Sequence, residues 1–178
     1  MRVSTYRRIR RRLVVQGYGG EIAWAQNRKP VRSAEQFWRE FAWVVINSGM
    51  KNQVAEKIWE RVLIAIDCGE PIRSAFGHPG KVDAIEFVRA NAPRLLRNYR
   101  RAKDKLAWLE TLPWIGSITK YHLAKNFGLD VAKPDRHLVR ISGGKGVYEF
   151  CARLAALTGD RVATVDMVIW RAANLGWI

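Results

Sequence analysis

The sequence predicts an all-α fold, on three observations. Apolar residues recur at helical spacing through most of the 178 residues. Capping residues and glycine stops punctuate those runs, and no segment sustains the alternation of a half-buried strand. The expected architecture is a compact bundle of about eight short helices, folded as two interleaved lobes with a cleft between them. A basic lead-in over 1–32 precedes a domain over 33–178.

The lead-in holds six Arg in its first 13 residues and no acid before Glu21. Such a run suits either a flexible arm that tracks phosphates or a solvated basic face. Ser33 and Gln36 form an S-x-x-Q capping pattern that starts a helix. Phe37, Phe41, Val44 and Val45 give it one apolar stripe. After "NSGMKNQ" a second helix is expected from Asn52 to Asp67, with Val54, Ile58, Val62 and Ile66 in register and Gly69 as its stop. Short helical pieces follow around 72–76 and 82–91. Pro93 is expected to restart a basic helix that runs to about Thr111 with Leu95, Leu96, Tyr99 and Leu106 inward. Two more helices, "VYEFCARLAAL" and "RVATVDMVIWRAANL", close the chain.

Charge narrows the function. Lys and Arg number 31 against 16 Asp and Glu, a formal net charge of +15, while 48% of residues are hydrophobic. A packed domain with this surplus prefers a polyanion, with nucleic acid the first candidate and an anionic membrane surface the alternative. No apolar run approaches the ~18–20 residues that span a bilayer, and no signal-peptide pattern opens the chain. The expectation is therefore a monomer in the cytoplasm (with the nucleoid) or the nucleus, neither membrane-bound nor secreted. Cys68 and Cys151 stand alone, without metal-ligand spacing, so no metal site is expected.

The segment from Leu112 to Ser142, "LPWIGSITKYHLAKNFGLDVAKPDRHLVRIS", carries the chemistry. Pro113 ends one helix, Gly116 is expected to supply a positive φ, and a second helix starts near Gly116 or Ser117. The N–H groups at such a helix start form an anion site suited to a DNA phosphate. Leu112, Pro113, Trp114, Ile115, Gly116, Ser117, Thr119 and Lys120 are the candidate DNA-binding residues. Further on, Asp135 follows Pro134 at a position suited to capping a helix.

"LPWIG" resembles the L-P-G-[IV]-G hairpin of the helix-hairpin-helix DNA glycosylases, the superfamily of endonuclease III, the adenine glycosylases and the alkyladenine glycosylases. "VAKPDRHLVR" resembles the segment that carries their catalytic aspartate. "EFAWVVINSGMKNQVAEKIWERV" resembles their early helix–loop–helix, so the resemblance covers roughly 37–142. It implies a DNA repair glycosylase that acts on double-stranded DNA, flips a damaged or modified base and cleaves its N-glycosidic bond. Asp135 would be the catalytic carboxylate, stabilising the positive charge that builds on the sugar. The hairpin would grip the backbone just beyond the lesion, with no cofactor except a structural monovalent cation there.

The sequence also departs from that family. Trp114 replaces a hairpin glycine and would crowd a close backbone approach. The cluster cysteines of the endonuclease III branch are absent. Ile118 stands where bifunctional members carry a lysine, which favours a monofunctional enzyme. Lys120 lies two residues on, about 200° around the helix, and is the alternative Schiff-base amine. A third possibility is a non-catalytic, structure-specific DNA-binding protein. Tyr121 shares the face of Ile118 and is a candidate for stacking on a flipped base. Met50 stands where relatives carry a wedge, with Asn47 and Asn52 flanking it as readers of base edges. Glu21 and Trp24 follow a Gly-rich turn and are candidates to line the base pocket. Asp166 and Trp170, a turn apart in the last helix, are expected to pair with the basic surface.

Overall fold

The computed structural model describes residues 1–144 and 146–178, and among these the chain is helical with no strand. In order the elements are α1 (Val3–Leu13), a π-helical turn (Val14–Tyr18), α2 (Gly19–Asn27), α3 (Ala34–Asn47), α4 (Asn52–Asp67) and α5 (Ile72–Ala75). They continue with α6 (Pro79–Arg101), α7 (Lys105–Glu110), α8 (Thr119–Asn126), α9 (Arg136–Ser142), α10 (Val147–Thr158) and α11 (Val162–Asn174). They form two compact units. The first joins the two chain ends, Met1–Pro30 and Ala124–Ile178, and the second is Val31–Leu123.

In the first unit the basic lead-in is neither an arm nor an appendage. Tyr6, Ile9 and Leu13 lie at i, i+3 and i+7 on α1 and are buried with Leu154 of α10 and Val165, Val168 and Ile169 of α11. Arg7, Arg8, Arg11 and Arg12 occupy the opposite, exposed face. The stripe overrides the charge because burying three such side chains is worth several kcal/mol, roughly 1.5–3 each, while the arginines keep their heads in water. The Tyr6 hydroxyl donates to Asp160 Oδ2 at 2.6 Å, and Arg10 Nε donates to the same oxygen at 3.0 Å. Burial, with the carboxylate beside it, holds the Tyr6 phenol far above its ordinary pKa.

Arg161 ties the parts of this unit together. Its guanidinium donates to the carbonyls of Ala25, Arg28 and Gly128, and its backbone N–H donates to Gln26 Oε1. Gly128, at φ +89, ends α8. A β-carbon there would lie 2.5 Å from the Lys29 carbonyl oxygen, so only glycine permits this approach.

In the second unit α3 begins as its cap requires, with Ser33 Oγ accepting from Gln36 N–H at 3.0 Å. The Gln36 side chain reaches back to Arg32 N–H, one residue before the cap. Phe37, Phe41, Val44 and Val45 are fully buried. In α4, Ile58 and Val62 are buried, but Val54 is 49% exposed and Ala55 takes its place. Steps of four residues advance ~40° past each full turn, so a 54–58–62–66 row drifts off one face by its ends. Gly69, at φ +75, stops the helix as expected.

Pro93 does not restart a helix; α6 runs straight through it. Its ring faces solvent, while Val88 and Ala92 before it and Leu95, Leu96 and Tyr99 after it are buried. That continuous packed face, laid along α3, outweighs the one backbone bond a proline removes. The next helix, α7, is capped separately by Asp104 Oδ1, and its core residue is Leu109, with Leu106 only half-buried. Phe37, Tyr99 and Trp108 close the core as an aromatic trio with centroids 5.7–6.3 Å apart.

Candidate functional site

In the first unit, Asp135 is the N-cap of α9. Its backbone is extended, and Oδ1 accepts from His137 N–H at 2.9 Å and from Leu138 N–H at 3.1 Å. Both bonds fall on one oxygen; among the described residues Oδ2 accepts none. Asp135 is half-buried. One carboxylate can therefore cap the helix and still present an oxygen to another group.

The segment that delivers Asp135 is held from α11. Asp166, 1% exposed, accepts from Lys133 N–H through Oδ1 at 3.0 Å and pairs through Oδ2 with the ammonium of Lys125 near the end of α8. This differs from the expectation that Asp166 meets the basic surface: it is a buried counter-ion. Burial and the neighbouring charge of Lys133 pull the Lys125 ammonium down toward about 7, while the charge of Asp135 and the direct contact with Asp166 oppose the shift. Burial likewise lowers Lys133, again against Asp135. Asp135 thus stands with two desolvated lysines in its electrostatic reach. The partners in this arrangement lie up to 41 residues apart in sequence, so no local pattern announced it.

Glu21 and Trp24 belong to the same unit. Glu21 holds Arg171 of α11 in a bidentate ion pair, at 2.9 and 2.6 Å. Trp24 is 38% exposed beneath the Arg28 guanidinium, 5.0 Å from its ring centroid.

In the second unit, a turn over 111–118 joins α7 to α8. It is longer than expected, since the helix starts at Thr119. Leu112 and Ile115 are buried and anchor it, while Gly116, Ser117 and Ile118 are exposed, and Pro113, Thr119, Lys120 and Tyr121 are half-buried. Gly116 N–H donates to Thr119 Oγ1 at 3.0 Å. Gly116 is not the left-handed residue. Trp114 is, at φ +62, and it is the one non-glycine residue with positive φ among those described. That conformation costs roughly 1–2 kcal/mol for a side chain with a β-carbon. A β-carbon on Gly116 would meet only Thr119 Oγ1, at 3.8 Å.

Trp114 is seated on the start of α6. Its ring stands edge-on to His78, with centroids 5.1 Å apart, and lies 5.9 Å from Lys81 Nζ. Lys81 is 5% exposed and donates to the carbonyls of Ser48 at 2.6 Å and Ile46 at 3.3 Å, closing the end of α3. Burial lowers its pKa. The adjoining loop holds Met50, half-buried. Asn47 Nδ2 donates to Asn52 Oδ1 at 2.8 Å, and Asn52 donates in turn to Glu56. The two asparagines thus brace the loop with the groups that would read base edges. Lys120 pairs with Glu110, and this bond holds its ammonium above the ordinary value.

At the hairpin, where the family resemblance implies a structural monovalent cation, Leu112 O accepts from Ile115 N–H and Gly116 O from Lys120 N–H. Among the described residues no helix is long and apolar enough to cross a membrane. No protein-family model, curated protein or solved structure matches this chain. Its class is therefore defined by its own fold and site: an all-helical, strongly basic protein with a half-buried capping aspartate set among desolvated lysines.

Proposed function

We propose that this protein is a DNA glycosylase that hydrolyses the N-glycosidic bond of a flipped, damaged or modified base, without a lyase step. The observation that carries the proposal is the arrangement at Asp135. The cap occupies one oxygen, the other is unused among the described residues, and Asp166 fixes the segment from behind through Lys133. A preorganised carboxylate of this kind stabilises the cation that develops at the sugar C1′ and orients the attacking water. The charge of +15 supports a nucleic-acid substrate, and the motif order "LPWIG" to "PDRHLVR" supports the reaction class. The ion pair of Lys120 with Glu110 favours hydrolysis over Schiff-base chemistry.

The test is a panel of duplexes bearing uracil, mismatched thymine, alkylated and oxidised purines, or hypermodified pyrimidines, incubated with the full chain. Base release without borohydride trapping is the expected outcome. Trapped enzyme on any duplex refutes the hydrolytic mechanism. Binding without release from any duplex refutes the enzyme and leaves a structure-specific DNA-binding protein.

A further inference from the structure

The second unit presents an aromatic ring that the grip of a hairpin on phosphate does not use. We propose that Trp114, with the pocket beside it, is a stacking site for one unpaired nucleotide of a DNA strand. The inference rests on the nucleic-acid assignment above and is independent of base release.

Four observations carry it. Trp114 keeps a left-handed backbone although its side chain disfavours it, and it leaves 46% of its surface exposed. A turn that needed only this backbone would be served without strain by glycine, so the ring itself is what the position retains. The indole is seated from below: a β-carbon on Gly80 would lie 3.0 Å from its Cζ2, so the ring rests directly on the helix backbone. His78 holds it edge-on at 5.1 Å. Finally, His78 also lines an open pocket of about 690 Å³, together with Arg61, Arg73, Ser74 and Phe76. Arg73 is paired with Asp83 at 2.6 Å, whereas Arg61 has no carboxylate partner among the described residues.

A seated, half-exposed indole beside a basic pocket matches a nucleotide: the base stacks on the ring, and Arg61 meets the phosphate. Bases inside a duplex already stack on their neighbours, so an unpaired base is the one that offers a free face. The pocket alone would accept a free nucleotide. The surplus of basic residues across the chain favours a strand, which supplies several phosphates.

The experiment measures fluorescence anisotropy of labelled dT12 and of a duplex of the same length, with dTMP as competitor, for the full chain and its variants. Trp114→Gly removes the ring and relieves the strain, and a thermal melt no lower than the parent's shows that it folds. It is expected to weaken dT12 binding roughly tenfold and duplex binding by a clearly smaller factor. Trp114→Phe is expected to recover most of the loss. Arg61→Gln is expected to flatten the salt dependence of dT12 binding by about one phosphate contact. An unchanged dT12 affinity in Trp114→Gly, or an equal loss on dT12 and duplex, overturns the proposal, because the ring then only shapes the turn. Competition by dTMP as effective as by unlabelled dT12 overturns the strand assignment. A parent protein that binds dT12 through Trp114 but releases no base supports the stacking site and refutes the glycosylase.

Discussion

Replacing Asp135 separates a helix cap from a catalytic carboxylate, because two substitutions divide its two tasks. In Asp135→Asn the amide oxygen still accepts from His137 and Leu138 N–H, the bonds that Oδ1 makes at 2.9 and 3.1 Å. Asparagine caps helices about as well as aspartate. The loss to stability is then chiefly the charge at the helix N-terminus, about 0.3–1 kcal/mol. The two neighbouring lysines lose a counter-charge, which adds to this in the same direction. Asp135→Ala loses both cap bonds and should cost about 0.5–2 kcal/mol. Catalysis scales differently. Removing one preorganised electrostatic group slows a reaction on the order of 10²–10³-fold, or about 3–4 kcal/mol of barrier, and both substitutions remove the charge. Single-turnover base release on the best duplex of the panel, with thermal melts in parallel, reads the two tasks. The expected pattern is a near-parental melt and a collapsed rate for the Asn variant, and a lowered melt with an equally collapsed rate for the Ala variant. An Asn variant that releases base at the parental rate refutes the mechanism and leaves Asp135 as a cap.

Three further outcomes are expected. Tyr99 and Cys151 are each pushed up to about 12 by burial, and Tyr6 is raised as well. All three keep their protons in the folded state after the unfolded chain has released them. Stability should therefore be full below about pH 9 and fall toward pH 12, Tyr99 alone contributing about 2–3 kcal/mol; absorbance at 295 nm should show these two tyrosines ionising only as the protein unfolds. Gly128→Ala should cost about 2–4 kcal/mol, seen as a clear drop in Tm, because its β-carbon meets the Lys29 carbonyl at 2.5 Å in a left-handed backbone. Arg8→Gln with Arg11→Gln should leave the fold intact, since both side chains are exposed. The pair should flatten the salt dependence of duplex binding by about two phosphate contacts, and an unchanged slope would show that this face of α1 meets no phosphate.

What the sequence made legible was local. The Ser33 cap, the α3 stripe and the bounds of α4 follow from spacing and capping chemistry that neighbouring residues decide among themselves. So does Asp135 as a helix start, because Pro134 and the apolar run after it define the position. The α1 helix is equally local in Tyr6, Ile9 and Leu13, but the six arginines in the first 13 residues mask that stripe with charge. Pro93 looks like a helix start in the sequence but lies inside α6, because its tolerance depends on the face that α6 packs along α3, a tertiary effect. Lys125 with Asp166, and Trp114 on Gly80, join residues far apart in the chain. No periodicity encodes such pairs, and the left-handed Trp114 runs against the propensity of its own residue type.

The joining of both chain ends in one unit has a consequence for biosynthesis. On the ribosome α1 and α2 emerge well before α10 and α11, which hold the partners that cover Tyr6, Ile9 and Leu13. At about 5–20 residues per second, these early helices wait on the order of ten seconds with an uncovered apolar face. All of Val31–Leu123, a compact unit of its own, is synthesised in that interval. The arginine-rich face of α1 then acts as a solubilising coat on a nascent segment, keeping it apart from other chains until the C-terminal helices arrive.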